Sequence, residues 1–296
     1  MTDQSTDAAA GILYIVATPI GNLADITLRA LDVLKTVDLV AAEDTRHTRK
    51  LLSHYDISAK LMSCNEHNEQ ARAGELVKKL LAGSSVALLS DAGTPTLSDP
   101  GYRVLQAAIS ASIRIVPIPG PSAAIAALSA AGLPSDAFLF VGFLPNKGAK
   151  RRTRLKQLAK EPATIIFYES PNRIIALLQD IAEVLGDRQV VLGREMTKRY
   201  EEFIRGRAIE VLDALQDRSD VKGEITLLVS GKAALVEDFS EAVQDEIADA
   251  LKAGSMGSAK LSRELASRYG MPKNQVYEMI LKMKAELNDE DGKKGD

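Results

Sequence analysis

Ser90-Asp91-Ala92-Gly93-Thr94-Pro95-Thr96-Leu97-Ser98-Asp99-Pro100-Gly101 follows the apolar run Val86-Ala87-Leu88-Leu89 and precedes a helical pattern that starts near Tyr102. An apolar run of that length reads as a buried strand, and a cluster of Gly, Pro, Asp and Thr reads as a loop. Its two prolines and two glycines restrict the backbone tightly. A rigid polar loop at the carboxyl end of a buried strand is where open α/β sheets bind ligands, although many such loops only connect.

The same pattern repeats on either side. Residues 12–17 read as a first strand running into Thr18-Pro19-Ile20-Gly21-Asn22-Leu23, and 27–37 carry helical spacing through Leu28, Leu31 and Leu34. Residues 38–42 read as a strand that ends in Glu43-Asp44-Thr45-Arg46. A short strand at 61–63 and a helix over 66–82, closed by Gly83, follow. After the opening loop come a helix over 101–111, a strand over 113–117, the loop Pro119-Gly120-Pro121-Ser122 and an Ala-rich helix to Ala131. Strand, loop and helix in repetition predict a largely parallel sheet covered by helices.

A second half starts near Leu139. Strands are expected at 139–143, 163–168, 189–193 and 224–229, with 200–205 as a hairpin member and 208–216 as a helix. These strands crowd together, so a mixed sheet is expected. Beyond Gly231 the composition shifts to an acidic segment at 237–249 and a basic one at 258–284. The predicted fold class is therefore α/β: two α/β subdomains plus a small C-terminal helical module. The expected boundaries are a flexible leader at 1–10, subdomains at 11–134 and 135–232, a helix-turn-helix-like module at 237–287 and a disordered tail at 288–296.

The composition removes several functions. A net charge of −3 gives no global field for nucleic acid or membrane, so any basic surface is local. Cys64 stands alone, which excludes an internal disulfide and suits a reducing cytoplasm. Residues 1–10 lack a basic signal-peptide start, and no apolar stretch reaches membrane-spanning length. There is no G-x-G pair, no G-x-x-x-x-G-K-[ST] cradle and no G-x-S-x-G elbow. His47, His54, His67 and Cys64 show no zinc-ligand spacing, so no metal site is expected. What remains is a set of rigid loops at 18–23, 91–100 and 119–122, which parallel strands would bring to one sheet edge. They offer backbone groups, the Asp91 carboxylate and the Thr94 and Ser122 hydroxyls to a polar, partly cationic ligand.

Eight segments together carry a resemblance. They are LYIVATPIGNLADITLRAL (13–31), AEDTRHTRKLL (42–52), SDAGTPTLSDPG (90–101), PIPGPSAAIAALSAAGLP (117–134), FVGFLP (140–145), FYESPNR (167–173), GREMTKRYEE (193–202) and KGEITLLV (222–229). In their order and spacing the chain resembles the tetrapyrrole methylase-like family of S-adenosylmethionine-dependent methyltransferases, over about residues 11–290. Where many relatives have a Gly-rich loop after the first strand, this chain has Thr18-Pro19-Ile20-Gly21-Asn22. That departure fits the ribosomal RNA branch.

The resemblance implies a donor cleft between two α/β subdomains, S-adenosyl-L-methionine as cofactor and a homodimer. It implies methyl transfer to the ribose 2′-hydroxyl of a cytidine in 16S ribosomal RNA of the small ribosomal subunit. Carried over by position, donor contacts fall on Asp91, Ala92, Gly93, Thr94 and Pro95, on Ser122, on Tyr168, and near Leu192 and Thr226. Pro19 and Gly21 of the first loop join them. A ribose hydroxyl is a weak acid, so a base or a cation near it would help. Asp44, Glu169, Glu195 and Lys198 all sit at or just past expected strand ends. Arg46, Arg173 and Arg194 are candidate phosphate holders, since the guanidinium fork matches phosphate oxygens. Lys150, Arg151 and Arg152 in the basic run, and Lys273 in the terminal module, are further RNA contacts. Two alternatives stay open: a corrin-precursor C-methyltransferase, and an RNA-binding assembly factor without catalysis.

Overall fold

A computed structural model describes residues 10–218, 220–232, 239–253, 256–269 and 271–292. The expected leader lies almost wholly outside them. The chain divides into two compact units, 1–232 and 233–296.

In the first half of the larger unit, strands and helices alternate. The order is β1 (Ile12–Val16), α1 (Leu28–Thr36), β2 (Leu39–Ala42), α2 (Thr45–His54), β3 (Leu61–Ser63), α3 (Glu69–Leu81), β4 (Val86–Leu89), α4 (Tyr102–Ser110), β5 (Arg114–Ile118) and α5 (Ala123–Ala131). The sheet order is β3-β2-β4-β1-β5, and every pair is parallel. Side-chain alternation divides the core in two. Val40, Ala42, Ala87 and Leu89 pack with Leu34, Leu51 and Leu52 on one face. Leu39, Ala41, Val86 and Leu88 pack with Leu76, Leu80, Val104 and Ala108 on the other. Both faces are dry, which is why these strands read as continuous apolar runs. All their carboxyl ends, and so the loops after β1, β2, β4 and β5, meet at one edge.

α3 begins at Glu69 rather than at Glu66. The Asn65 amide donates to Asn68 Oδ1 at 2.9 Å, and the His67 amide to Asn65 Oδ1 at 3.1 Å. This side-chain turn takes the place of the expected first helical turn.

The second half contains β6 (Phe138–Phe143), α6 (Gly148–Gln157), β7 (Thr164–Glu169), α7 (Pro171–Leu185), β8 (Gln189–Arg194), β9 (Glu202–Arg207), α8 (Ala208–Gln216) and β10 (Ile225–Val229). Its sheet is mixed, in the order β6-β7-β10-β8-β9, with only β6 and β7 parallel. β9 starts two residues beyond the expected strand, because a turn fills 199–201: the Glu201 amide donates to the Lys198 carbonyl at 3.2 Å.

α6, α7 and α8 cover one face of this sheet through Leu155, Ile174, Leu177, Leu178, Ile181, Val211 and Leu215. The other face receives α5. Ala124, Ala127, Leu128 and Ala131 lie against Ile166, Val191, Met196 and Leu228. Small side chains let the helix backbone come close to the sheet. α5 therefore leaves the first sheet and covers the second. Arg205 of β9 donates to the Ala130 and Ala131 carbonyls at 2.6 and 3.3 Å, satisfying free groups at its C-terminus.

The smaller unit contains α9 (Phe239–Ala253), α10 (Ser258–Tyr269) and α11 (Lys273–Gly292). Val243, Ile247, Leu261, Leu265, Val276 and Ile280 form its core. Glu246 of the acidic segment pairs with Arg268 at 2.7 Å and accepts from Tyr269 at the same distance. α11 is helical through Gly292, so it runs into the stretch from 288 that its composition marks as a disordered tail. Residues 293–296 lie outside the described ones.

One buried ion pair joins α6 to α7. Arg151 Nε donates to Asp180 Oδ2 at 2.6 Å, and both side chains are more than nine-tenths buried. Arg152 adds a longer bond to the same carboxylate at 3.2 Å. Removing one partner of such a pair leaves an uncompensated buried charge, at a cost of about 3–5 kcal/mol. Arg151→Ala should therefore lower the Tm by roughly 10 °C, while Arg151→Met with Asp180→Leu should recover most of the loss. Differential scanning calorimetry of the two variants checks this.

Candidate active site

Three loops meet at the edge of the first sheet. Thr18 and Gly93 form an antiparallel bridge, with N–H···O distances of 2.8 and 3.0 Å in the two directions. The Thr94 hydroxyl donates to the Pro121 carbonyl at 3.1 Å. The Thr18 hydroxyl donates to the Ser90 carbonyl at 3.3 Å. The loops after β1, β4 and β5 are thus tied into one wall.

The second half supplies the facing wall. A bulge in β6 between Phe140 and Gly142 lets the strand approach the β4 loop. Gly142 holds φ +70°, and a Cβ there would overlap Ser98 Oγ. On another side, Gly21 lies directly on Lys198 and Thr197, where a side chain would collide.

A cavity of ≈ 280 Å³ lies between these walls. Asp91, Ala92, Gly93 and Thr94 from the opening loop line it, together with Ser122, Tyr168 and Thr226. The structure thus brings together seven of the expected donor contacts. Four others lie elsewhere. Leu192 points to the opposite face of its sheet, among the residues packed under α7 and α8. Pro95 is buried and Gly21 exposed, each outside the lining. Pro19 lines a small neighbouring pocket with His47, Thr48, Ser90 and Asp91.

The cavity also holds residues the sequence reading passed over, among them Glu43, Asp99, Phe143 and Glu224. Glu43 follows the end of β2, the same positional signal that singles out Asp44, whereas Asp99 lies near the far end of the loop between β4 and α4. With Asp91 they place three carboxylates on one wall. Burial is the main cause that pushes Asp99 up to about 6, and the nearby Glu43 and Asp91 charges add to it. Glu43 is raised as well, chiefly by burial, although it accepts the Asp91 N–H at 3.3 Å. Such a wall favours a cationic ligand. Across it, Tyr168 accepts the Ala124 N–H at 3.2 Å, and burial raises its hydroxyl.

The expected base candidates are placed differently. Asp44 caps α2: its carboxylate accepts the Arg46 N–H at 2.8 Å and both guanidinium arms at 3.1 and 2.7 Å. The Arg46 guanidinium holds it down at about 2, so it is a poor proton acceptor. Glu169 alternates with Tyr168 on β7 and therefore faces away from the cavity. Its side chain is fully buried, with one oxygen 3.0 Å from Arg173 and the other accepting the Ser170 N–H at 2.7 Å. Both Asp44 and Glu169 are structural groups.

Glu195 and Lys198 stand just outside the lining. Lys198 Nζ donates to Glu195 at 2.7 Å and to the lining residue Glu224 at 3.0 Å. Burial alone would lower the lysine, but these two bonds outweigh it and hold it above its usual value. The same bond and the Glu224 amide keep Glu195 below the usual carboxylate range. Lys198 is thus a fixed cation at the rim.

The arginines divide in the same way. Arg173 holds Asn146, the Leu144 carbonyl and Glu169. Arg194 pairs with Glu202 at 3.1 Å, and Arg218, the larger cause, together with Arg194 holds Glu202 at about 2. Arg151 is buried against Asp180 and is not available to RNA. Arg46, Lys150 and Lys273 are exposed, and Arg152 is half-exposed. Among the described residues no group of His, Cys, Asp and Glu is arranged to hold a metal ion.

The family model for tetrapyrrole (corrin/porphyrin) methylases matches residues 12–212. The chain is 50% identical over 286 residues to a protein of Escherichia coli O157:H7 named ribosomal RNA small subunit methyltransferase I, covering 94% of this chain and 97% of that one. A Vibrio cholerae protein of the same name is 55% identical over 235 residues, covering 78% and 81%. Among solved structures, uroporphyrin-III C-methyltransferase from Thermus thermophilus, complexed with S-adenosyl homocysteine, aligns at TM-score 0.53. It shares 17% identity and covers 75% of this chain and 98% of that one, which shows a common fold. The chain is a methyltransferase of the tetrapyrrole (corrin/porphyrin) methylase family, and within it belongs with the proteins named ribosomal RNA small subunit methyltransferase I.

Proposed function

We propose that the protein transfers a methyl group from S-adenosyl-L-methionine to the ribose 2′-hydroxyl of a cytidine in 16S ribosomal RNA. The observation that carries this is the extended similarity to ribosomal RNA methyltransferases, joined to an acidic cavity walled by the matching loops. The corrin-precursor reading has only remote structural likeness behind it. The non-catalytic reading does not explain an acidic cavity of small-molecule type.

The cavity residues suit the donor. Its methyl group is carried on a sulfonium cation, ready for transfer to an oxygen. Asp91, with Glu43 behind it, provides the negative field such a cation needs. Ser122 and Ala123 line the cavity at the start of α5, where the helix dipole favours the donor's carboxylate. Thr94, Tyr168 and Thr226 complete the polar lining. The bonds tying the three loops together hold this set in place before the donor arrives, so little ordering remains for binding to accomplish.

RNA is the proposed partner of the outer surface. Arg46, Lys150, Arg152 and Lys273 remain the proposed phosphate contacts, because each exposes its charged group. Lys198 at the rim can polarise a ribose or phosphate oxygen without leaving its carboxylates. Among the described residues no helix is long and apolar enough to cross a membrane. A homodimer in the cytoplasm completes the proposal, on the strength of the family resemblance.

Three measurements test this reading. Nuclease fragments of 16S ribosomal RNA from a deletion strain should lack one 2′-O-methylcytidine by mass spectrometry; an unchanged level would overturn the assignment. Asp91→Ala should weaken S-adenosylmethionine binding roughly 10- to 100-fold, as expected for losing a charged partner. Calorimetry reads this directly, and an unchanged Kd would make the loop structural only. A chain ending at Lys232 keeps the larger unit whole. It should bind the donor normally and methylate RNA more weakly at physiological salt; equal RNA activity would remove the terminal module from recognition.

A further inference from the structure

The cavity wall has more carboxylates than donor binding requires, and their partners differ. Asp91 accepts the Asp44 N–H at 3.0 Å. Glu43 accepts the Asp91 N–H. Glu224 is paired with Lys198. Asp99 is the exception: the nearby Ser90 hydroxyl, which donates to the Ala92 carbonyl at 3.3 Å, is the one group that favours its ionised form. Among the described residues it has neither an ion pair nor a backbone donor.

The segment that carries Asp99 is strained. Thr96 and Ser98 hold φ +72° and +69°, left-handed values that a β-branched residue such as Thr rarely adopts. Strain of this kind persists only where the surroundings impose it, and it clusters at functional sites. Here Ser98 lies against Gly142 of the β6 bulge, where any side chain would overlap it, and Asp99 beside it lines the cavity.

Asp99 shares the cavity lining with exposed apolar side chains. Its neighbour Leu97 lines the cavity yet is 43% exposed, and Phe143, next to Gly142, lines it at 57% exposure. Large apolar side chains so exposed at a cavity mouth suit an entering nucleotide, whose base needs a surface to stack on. A ribose following that base would enter the cavity that Asp99 lines.

We propose that Asp99 is the catalytic base that accepts the proton of the ribose 2′-hydroxyl. This rests on the function proposed above. As the ribose oxygen forms its bond to the methyl carbon, the carbon–sulfur bond breaks and its electron pair stays on sulfur. The hydroxyl proton passes to the Asp99 carboxylate and from there to solvent, so charge and atoms balance. A proton affinity above that of an ordinary Asp suits this task. Glu43, Asp91 and Tyr168 are the titratable groups around it, and none competes: the first two are bonded to the backbone, and the Tyr168 hydroxyl is raised.

The test compares wild type with Asp99→Asn and Asp99→Glu. Asp99→Asn should lower kcat about 100- to 10,000-fold, the usual worth of a general base. The KM for 30S subunits should stay within threefold, and the calorimetric Kd for S-adenosylmethionine, to whose cation the wall carboxylates contribute, should weaken by no more than about tenfold, far short of the loss in kcat. Asp99→Glu should recover part of the rate. The wild-type kcat should fall tenfold per pH unit on the acid side, with a midpoint at or below about 6, because a bound cation favours the ionised form. That acid limb should vanish in Asp99→Asn. An unchanged kcat, or a loss found entirely in the donor's Kd, would overturn the assignment. Wild-type protein without RNA methylation would instead overturn the function on which it rests.

Discussion

The paired hydrogen bonds between Thr18 and Gly93 hold the site together. They join the loops after β1 and β4, and the Thr94 bond to Pro121 adds the loop after β5. Parallel strands bring their carboxyl ends to one edge, but they do not by themselves fix the loops beyond them. Here the loops make their own small continuation of the sheet. Backbone groups that would otherwise need water are paired with one another, and the side chains between them are aimed. α5 starts from this wall and covers the second sheet, so the position of one half follows from the loops of the other.

The acidic wall has a cost that the fold carries without a ligand. Ionised Asp99 is disfavoured by burial and by two neighbouring carboxylates. Its folded-state proton affinity exceeds the ordinary value of 3.8, so its contribution to stability is fully present below that pH and is lost as pH rises through about 6. Near neutrality the empty wall is therefore under electrostatic tension. A cationic ligand relieves it, and part of the binding energy comes from that relief. The rim is arranged in the opposite manner. Lys198 is already neutralised by Glu195 and Glu224, so it offers a positioned cation without repelling a positively charged donor.

How much of this was legible depends on burial. The alternation of apolar runs with helical spacing showed the first sheet, and its loops marked the ligand edge. Parity along the second-half strands was hidden. Nearly every residue of β7 and β8 is buried, so no alternation distinguishes the face of Tyr168 from that of Glu169, or Val191 from Leu192. Position along the chain puts Glu169 and Leu192 at the site, and both point the other way. Arg151 is hidden for a different reason. The basic run looks uniformly solvated, yet Arg151, Leu155 and Leu158 share the inward face of α6, a spacing visible in the sequence. Its buried partner Asp180 lies 29 residues away, and no local pattern announces it.

The displaced candidates separate two uses of charge in one fold. Asp44, Glu169, Arg151, Arg173 and Arg194 are all consumed by partners: a helix cap, a strand-to-helix turn or a clamp between elements. Their charges are spent on geometry and have little left for a substrate. Asp99 lacks such a partner, and that lack is what a reacting group requires. A sequence motif records which charged residues recur at strand ends, but it does not record which of them the fold has already satisfied. Here Asp99 lies inside the same twelve-residue stretch as Asp91, Ala92, Gly93 and Thr94, which line the cavity with it. One stretch thus supplies two carboxylates of the cavity wall, Asp91 bonded to a backbone N–H and Asp99 without such a bond among the described residues.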